Sequence, residues 1–142
     1  MSSEFPKRFA DIFASLDRHN LHRVSEIYAP DVHFTDPLHD VHGLSAMEDY
    51  FGELYANIED LQFEFHQCQL VTEGQGLLRW TMTYRHPRLA GGRPVKVDGC
   101  SCIFFRDVRV YRHIDYFDAG ALIYEHVPLL GSVIRWLKGR LA

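Results

Sequence analysis

The sequence predicts an α+β domain: a cone-shaped, curved antiparallel sheet wrapped around N-terminal helices, with an extra amphipathic helix at the C-terminus. Three observations predict it. Apolar residues recur at helical spacing through the first third of the chain, then at a period of two from Leu61 to Phe117. Short turn signals at Gly74–Gly76, in HPRLAGGRP and near Asp107 divide the period-two region into consecutive hairpins. Helical spacing returns only in the tail, so helices are segregated from strands, as packing on one sheet face requires.

Each element follows from its own pattern. Phe5, Phe9, Ile12, Phe13 and Leu16 predict an amphipathic helix over Pro6–Asp17. Leu21, Val24, Ile27 and Tyr28 predict a short second helix that stops near Pro30. Val32 and Phe34 alternate with polar neighbours, as in a short strand. Gly43 and Ser45 open a third helix that buries Leu44, Met47, Phe51, Leu54 and Tyr55. Leu61, Phe63 and Phe65 then alternate with polar residues before the parity shifts to Cys68 and Leu70, which predicts a bulge near Gln67 and a bent strand. On the next strand Leu78, Trp80, Met82 and Tyr84 share one face, and Arg79, Thr81, Thr83 and Arg85 the other. Strands over Val95–Arg106 and Val108–Phe117 follow. A short helical segment, Ala119–His126, precedes a last helix opened by Pro128, with a stripe of Leu129, Leu130, Val133, Ile134, Leu137 and Leu141.

Size and composition narrow the function. No repeat or linker divides the 142 residues, so residues 1–142 read as one domain. The formal net charge of −4 disfavours nucleic-acid binding, which needs clustered cations; the one basic cluster is Arg135, Lys138 and Arg140. Three cysteines cannot all pair, and Cys100 and Cys102 lie two apart in a strand, so they read as free thiols in a reducing compartment. The N-terminal stretch MSSEFPKRFADIF has no signal-peptide pattern, and a cytoplasmic location is expected. No Gly-rich phosphate loop precedes a helix, and no cofactor is expected.

Polar residues on otherwise buried strands carry the functional signal. His113 and Asp115 project from one face of the last strand, and Arg79 and Thr81 from one face of an earlier strand. If these faces coincide, an Arg, an Asp and a His converge in a largely apolar site, where buried charge must be paired. The alternative is an Arg–Asp pair bridging strands on a solvated face. Asp36, before Pro37, is either a turn carboxylate or a base at the pocket mouth. HFTDPLHDVH gathers His33, Asp36, His39, Asp40 and His42, but the spacing matches no ligand motif, so no metal is assigned. The basic, amphipathic C-terminal helix is expected to pack across the sheet or against a partner subunit rather than on a membrane.

Three strings, LDRHNLHRVSEIYAPDVHFTDP, the Gly43 helix start and CIFFRDVRVYRHIDYFD, resemble the superfamily named for nuclear transport factor two. It includes SnoaL-like polyketide cyclases, steroid ketoisomerases and limonene epoxide hydrolase. The resemblance spans nearly the whole chain and implies the fold described above. Against the ketoisomerases, Asp36 falls on the general base, whereas Ile12 and Ser101 replace the two oxyanion donors. Against limonene epoxide hydrolase, Asp115 and Arg79 fall on a catalytic aspartate and arginine, while Thr81, Phe34 and Asp36 replace the second aspartate and the water-binding Tyr and Asn. Against the SnoaL-like cyclases, Ser101 again replaces the carboxylate; Asp98 is near but of opposite parity.

These readings imply a protein that binds a small hydrophobic organic molecule, as an isomerase, cyclase or epoxide-hydrolase-like enzyme or as a non-catalytic binding module. The expected catalytic set is Asp36, Asp115, Arg79 and His113, and Phe34, Thr81, Ser101, Tyr111 and Phe117 are expected around the ligand. A homodimer through the outer sheet face, including Trp80, Met82 and Tyr84, is the expected assembly.

Overall fold

Helix α1 (Phe5–Ser15) begins with Pro6 in its first turn and turns Phe5, Phe9, Ile12 and Phe13 to one side, all buried. Strand β1 (Tyr28–Thr35) and a three-residue strand β2 (Asp40–His42) form a hairpin ahead of helix α2 (Leu44–Asn57). Gly43 starts α2 at φ 90°, a left-handed backbone that side chains resist. Strands β3 (Glu59–Thr72), β4 (Gln75–Arg85), β5 (Val95–Arg106) and β6 (Arg109–Phe117) follow as a meander. A short α3 (Ala119–Leu122) and the C-terminal α4 (Leu130–Leu141) complete the chain. This computed structural model describes residues 2–122, 124–127 and 129–141.

The six strands make one curved, unclosed sheet in the order β2-β1-β6-β5-β4-β3. The sheet is mixed, because β1 runs parallel to β6 while the other pairs are antiparallel. The predicted second helix is a 3-10 run, Leu21–Glu26, and Tyr28 already belongs to β1. The predicted bulge falls at His66, between the pairs Phe65–Trp80 and Gln67–Arg79. It bends the long β3 around the helices.

A second bulge decides which side chains face inward. Phe105 pairs with Val110 and Phe104 with Arg112, leaving Tyr111 as the extra residue. One extra residue inverts the alternation, so Val110 faces the core and beyond the bulge His113, Asp115 and Phe117 do so too. Without the bulge Arg112 and Ile114 would point inward.

The core between sheet and helices is rich in aromatic rings. Phe5 meets Phe105 at 4.4 Å, and Phe13 meets Phe63 edge-on at 5.0 Å. Such pairs add about 0.5–1.5 kcal/mol each beyond the burial of their area.

Helix α4 departs from the expectation of packing across the sheet. It rests on the 3-10 turn Tyr124–His126, where Gly131 is buried against the Glu125 carbonyl. Lys138 pairs with Asp118 and, at 3.1 Å, with Glu125. Leu130, Val133, Leu137 and Leu141 remain exposed. The polar edge of the helix is anchored, and its apolar stripe faces out. Pro128, predicted to open this helix, lies outside the described residues. Among those residues no helix is long and apolar enough to cross a membrane.

Candidate functional site

A cavity of about 270 Å3 opens between α2, the inner sheet face and the segments after β1 and β4. Phe13, Phe51, Phe63, Met82 and Phe117 form its apolar walls. Leu38, His39, His86, Leu89 and Leu122 also line it. Two carboxylates, Asp36 and Asp115, reach into this apolar volume.

Asp115 terminates a hydrogen-bonded chain running through the core. His113 Nε2 lies 2.6 Å from Asp115 Oδ1, and His113 Nδ1 lies 2.7 Å from the Tyr28 hydroxyl. From the other side Ser101 Oγ donates to the same Oδ1 at 2.5 Å, and Trp80 Nε1 donates to Ser101 Oγ at 2.8 Å. Burial, and then the charge of Asp115, push the Tyr28 phenol well above its ordinary pKa, so it stays protonated. Asp115 Oδ1 is the shared partner of Ser101 and His113. Among the described residues no side chain bonds its second oxygen, Oδ2.

The register explains why these groups meet. Ser101 pairs with Asp115 across β5–β6 and with Leu78 across β4–β5. Trp80 pairs with Gly99, where an added Cβ would sit 2.2 Å from the indole. The missing side chain lets the indole lie across β5 and reach Ser101.

Asp36 follows β1 on the parity of Val32 and Phe34 and is nearly buried. Its Oδ1 accepts the Leu38 and His39 amides, both at 2.7 Å. The expected turn role is therefore present. The His39 ring lies 3.0 Å from the same carboxylate, and Tyr50 donates to its Oδ2 at 3.3 Å. Burial, then the charges of Asp36 and Asp115, hold the Tyr50 phenol far above its ordinary pKa. Tyr55, also beside the cavity, is pushed up to about 12, mainly by burial.

Several sequence expectations need correction. Arg79 is exposed and lies on the opposite sheet face from Trp80, so it cannot serve a ligand in this cavity. Thr81 shares that outer face, where it donates to Asp98 at 2.6 Å and meets His66 at 2.8 Å. Tyr111 is the bulge residue and lies outside, under the Arg106 guanidinium at 4.2 Å. Trp80, Met82 and Tyr84, expected on the outer face, are buried inside. For the β4 residues one rule applies: an apolar face costs less to bury than one carrying an Arg without a partner. Phe34, Asp36, Asp115 and Phe117 do line the cavity, and His113 and Ser101 lie behind Asp115. Tyr28, Tyr50 and Trp80 were not anticipated as polar participants. For Tyr50 a signal existed, because it lies three residues after Met47 and four before Leu54 on the buried side of α2.

The family profile for the SnoaL-like domain matches residues 8–113. The chain belongs to this SnoaL-like family. Solved structures support the same fold. TsrD from Streptomyces laurentii superposes with a TM-score of 0.73 at 16% identity, covering 86% of this chain and 94% of that one. An LEH-like epoxide hydrolase from M. tuberculosis gives 0.69 at 15% identity, with 83% and 86% covered. A protein with a ketosteroid isomerase-like fold from Catenulispora acidiphila, in complex with trimethylamine, gives 0.74 at 11% identity, with 90% and 96% covered. No curated protein matches the sequence. At these identities the likeness extends to the SnoaL-like fold alone. The arginine that resemblance to epoxide hydrolase assigned to position 79 faces away from the SnoaL-like cavity.

Proposed function

We propose that the protein binds a compact hydrophobic molecule in the α2–sheet cavity and performs cofactor-independent proton transfer on it, as in isomerisation, cyclisation or water addition. The observation that carries this reading is Asp115, fixed through Oδ1 by Ser101 and His113 on the wall of an apolar cavity. A carboxylate so oriented can take a proton from a carbon acid or a water and return it to the product. His113 orients Asp115. Tyr50, kept protonated and held by a long bond to Asp36, can turn its hydroxyl to a substrate oxygen. About 270 Å3 falls just below the usual range for drug-sized sites, which limits the ligand to a compact molecule.

A second reading rests on a separate observation. Among the described residues no Lys or Arg lines the cavity, so no permanent positive charge faces a developing oxyanion. This favours a binding module without chemistry. For assembly we propose a homodimer through the outer sheet face, now carried by Leu77, Cys102 and Ile114, which align across three strands.

Native mass spectrometry of freshly purified protein tests binding and assembly together. The expected result is a dimer mass with a small organic molecule retained. Turnover of that molecule, or of a ketone, lactone or epoxide from a panel, supports the enzyme; retention without turnover supports the binding module. A bare monomer that turns over no panel compound refutes the proposal.

A further inference from the structure

The β1–β2 hairpin carries a second cluster, outside the cavity. His33 and His42 occupy directly paired positions, and Thr35 pairs with Asp40 two residues further along. Paired residues on one hairpin face bring their side chains close together. The two imidazoles stack at 4.0 Å. His33 Nε2 lies 2.5 Å from Asp40 Oδ1, and His42 Nε2 lies 3.1 Å from Asp40 Oδ2. The three donor atoms all lie within 4.8 Å of one another, and all three residues reach solvent.

We propose that His33, Asp40 and His42 form a surface site for a borderline divalent cation such as Zn2+, Ni2+ or Cu2+. Two imidazole nitrogens and one carboxylate are the donor types these ions take, and solvent access leaves the remaining positions to water. Bonds of about 2.0–2.2 Å require only small shifts of donors already this close. Asp40 spans the two imidazoles, one carboxylate oxygen against each, so it sits between the two nitrogen donors. Thr35 Oγ1 donates to Asp40 Oδ1 at 2.9 Å and accepts from Arg112 at 3.0 Å, which orients the carboxylate from behind. The nearby Arg112 charge opposes a cation and lowers the expected affinity. Sequence spacing hid the cluster because the hairpin, not a ligand motif, brings positions 33 and 42 together. The same hairpin carries the Asp36–His39 lip of the cavity, so a bound ion would brace that lip.

Isothermal titration of chelator-treated protein with Zn2+ alone tests the site. One equivalent should bind with micromolar Kd. His33→Ala, His42→Ala and Asp40→Asn should each weaken binding at least tenfold, and His19→Ala should leave it unchanged. The wild type should also gain thermal stability with Zn2+ and lose the gain with EDTA. Binding that survives both histidine replacements, or no binding below millimolar Zn2+, overturns the proposal. Asp40 and His42 are exposed and His33 is half-buried, so circular dichroism should confirm that the variants fold.

Discussion

Asp115→Asn is expected to lower turnover about 10²- to 10⁴-fold while ligand affinity changes by less than about threefold. Such a loss corresponds to roughly 3–5 kcal/mol of barrier. Asparagine keeps an Oδ1 for Ser101 and His113, so the chain behind it survives. What disappears is the basic carboxylate on the cavity wall. Initial rates and a binding isotherm on the same compound separate these effects, because a lost proton acceptor lowers kcat and leaves binding intact. Asp36→Asn provides the contrast. Its Oδ1 would still accept the Leu38 and His39 amides, so a loss below about tenfold is expected. A larger loss at Asp36 than at Asp115 would reverse the two roles.

Gly99→Ala is expected to destabilise the fold by about 2–5 kcal/mol, combining overpacking with a buried indole N–H deprived of its acceptor. A Cβ on Gly99 would lie 2.2, 2.5 and 2.7 Å from three carbons of Trp80. The indole must move, and the bond from Nε1 to Ser101 goes with it. At about 3 °C per kcal/mol for a chain of this size, the melting temperature should fall by roughly 6–15 °C. Gly139→Ala, where an added Cβ meets nothing within 4 Å, serves as the control and should be neutral or slightly stabilising. An unchanged melting temperature for Gly99→Ala would mean that Trp80 does not lie across β5.

Much of this architecture is legible in the sequence because periodicity reports burial directly. The β3 bulge shows itself in the shift from Phe65 to Cys68, and the helices in their apolar spacing. The site is only partly legible, for two physical reasons. Parity says which residues share a face, not which face is inside. Reading the polar set of β4 as the inner one put Arg79 and Thr81 in the cavity, whereas burial of Leu78, Trp80 and Met82 decides the matter. The second reason is the bulge at Tyr111. Counting back by twos from Asp115 through His113 reaches Tyr111, but the extra residue breaks the count and turns it outward. The hydrogen-bonding ends of Tyr28, Tyr50 and Trp80 left little trace, because periodicity reads these residues only as apolar bulk.

The central claim, that an apolar cavity beside Asp115 takes a compact hydrophobic guest, is tested most directly by the emission of Trp80. The chain has two tryptophans, so Trp136→Phe leaves Trp80, on the cavity wall, as the sole reporter. Titration with compact ketones, lactones and epoxides should give a saturable change in its emission for at least one compound, and the affinity should fall in Leu54→Phe, which narrows the cavity. An emission that no compound alters, or one that responds equally in the narrowed variant, would contradict the account.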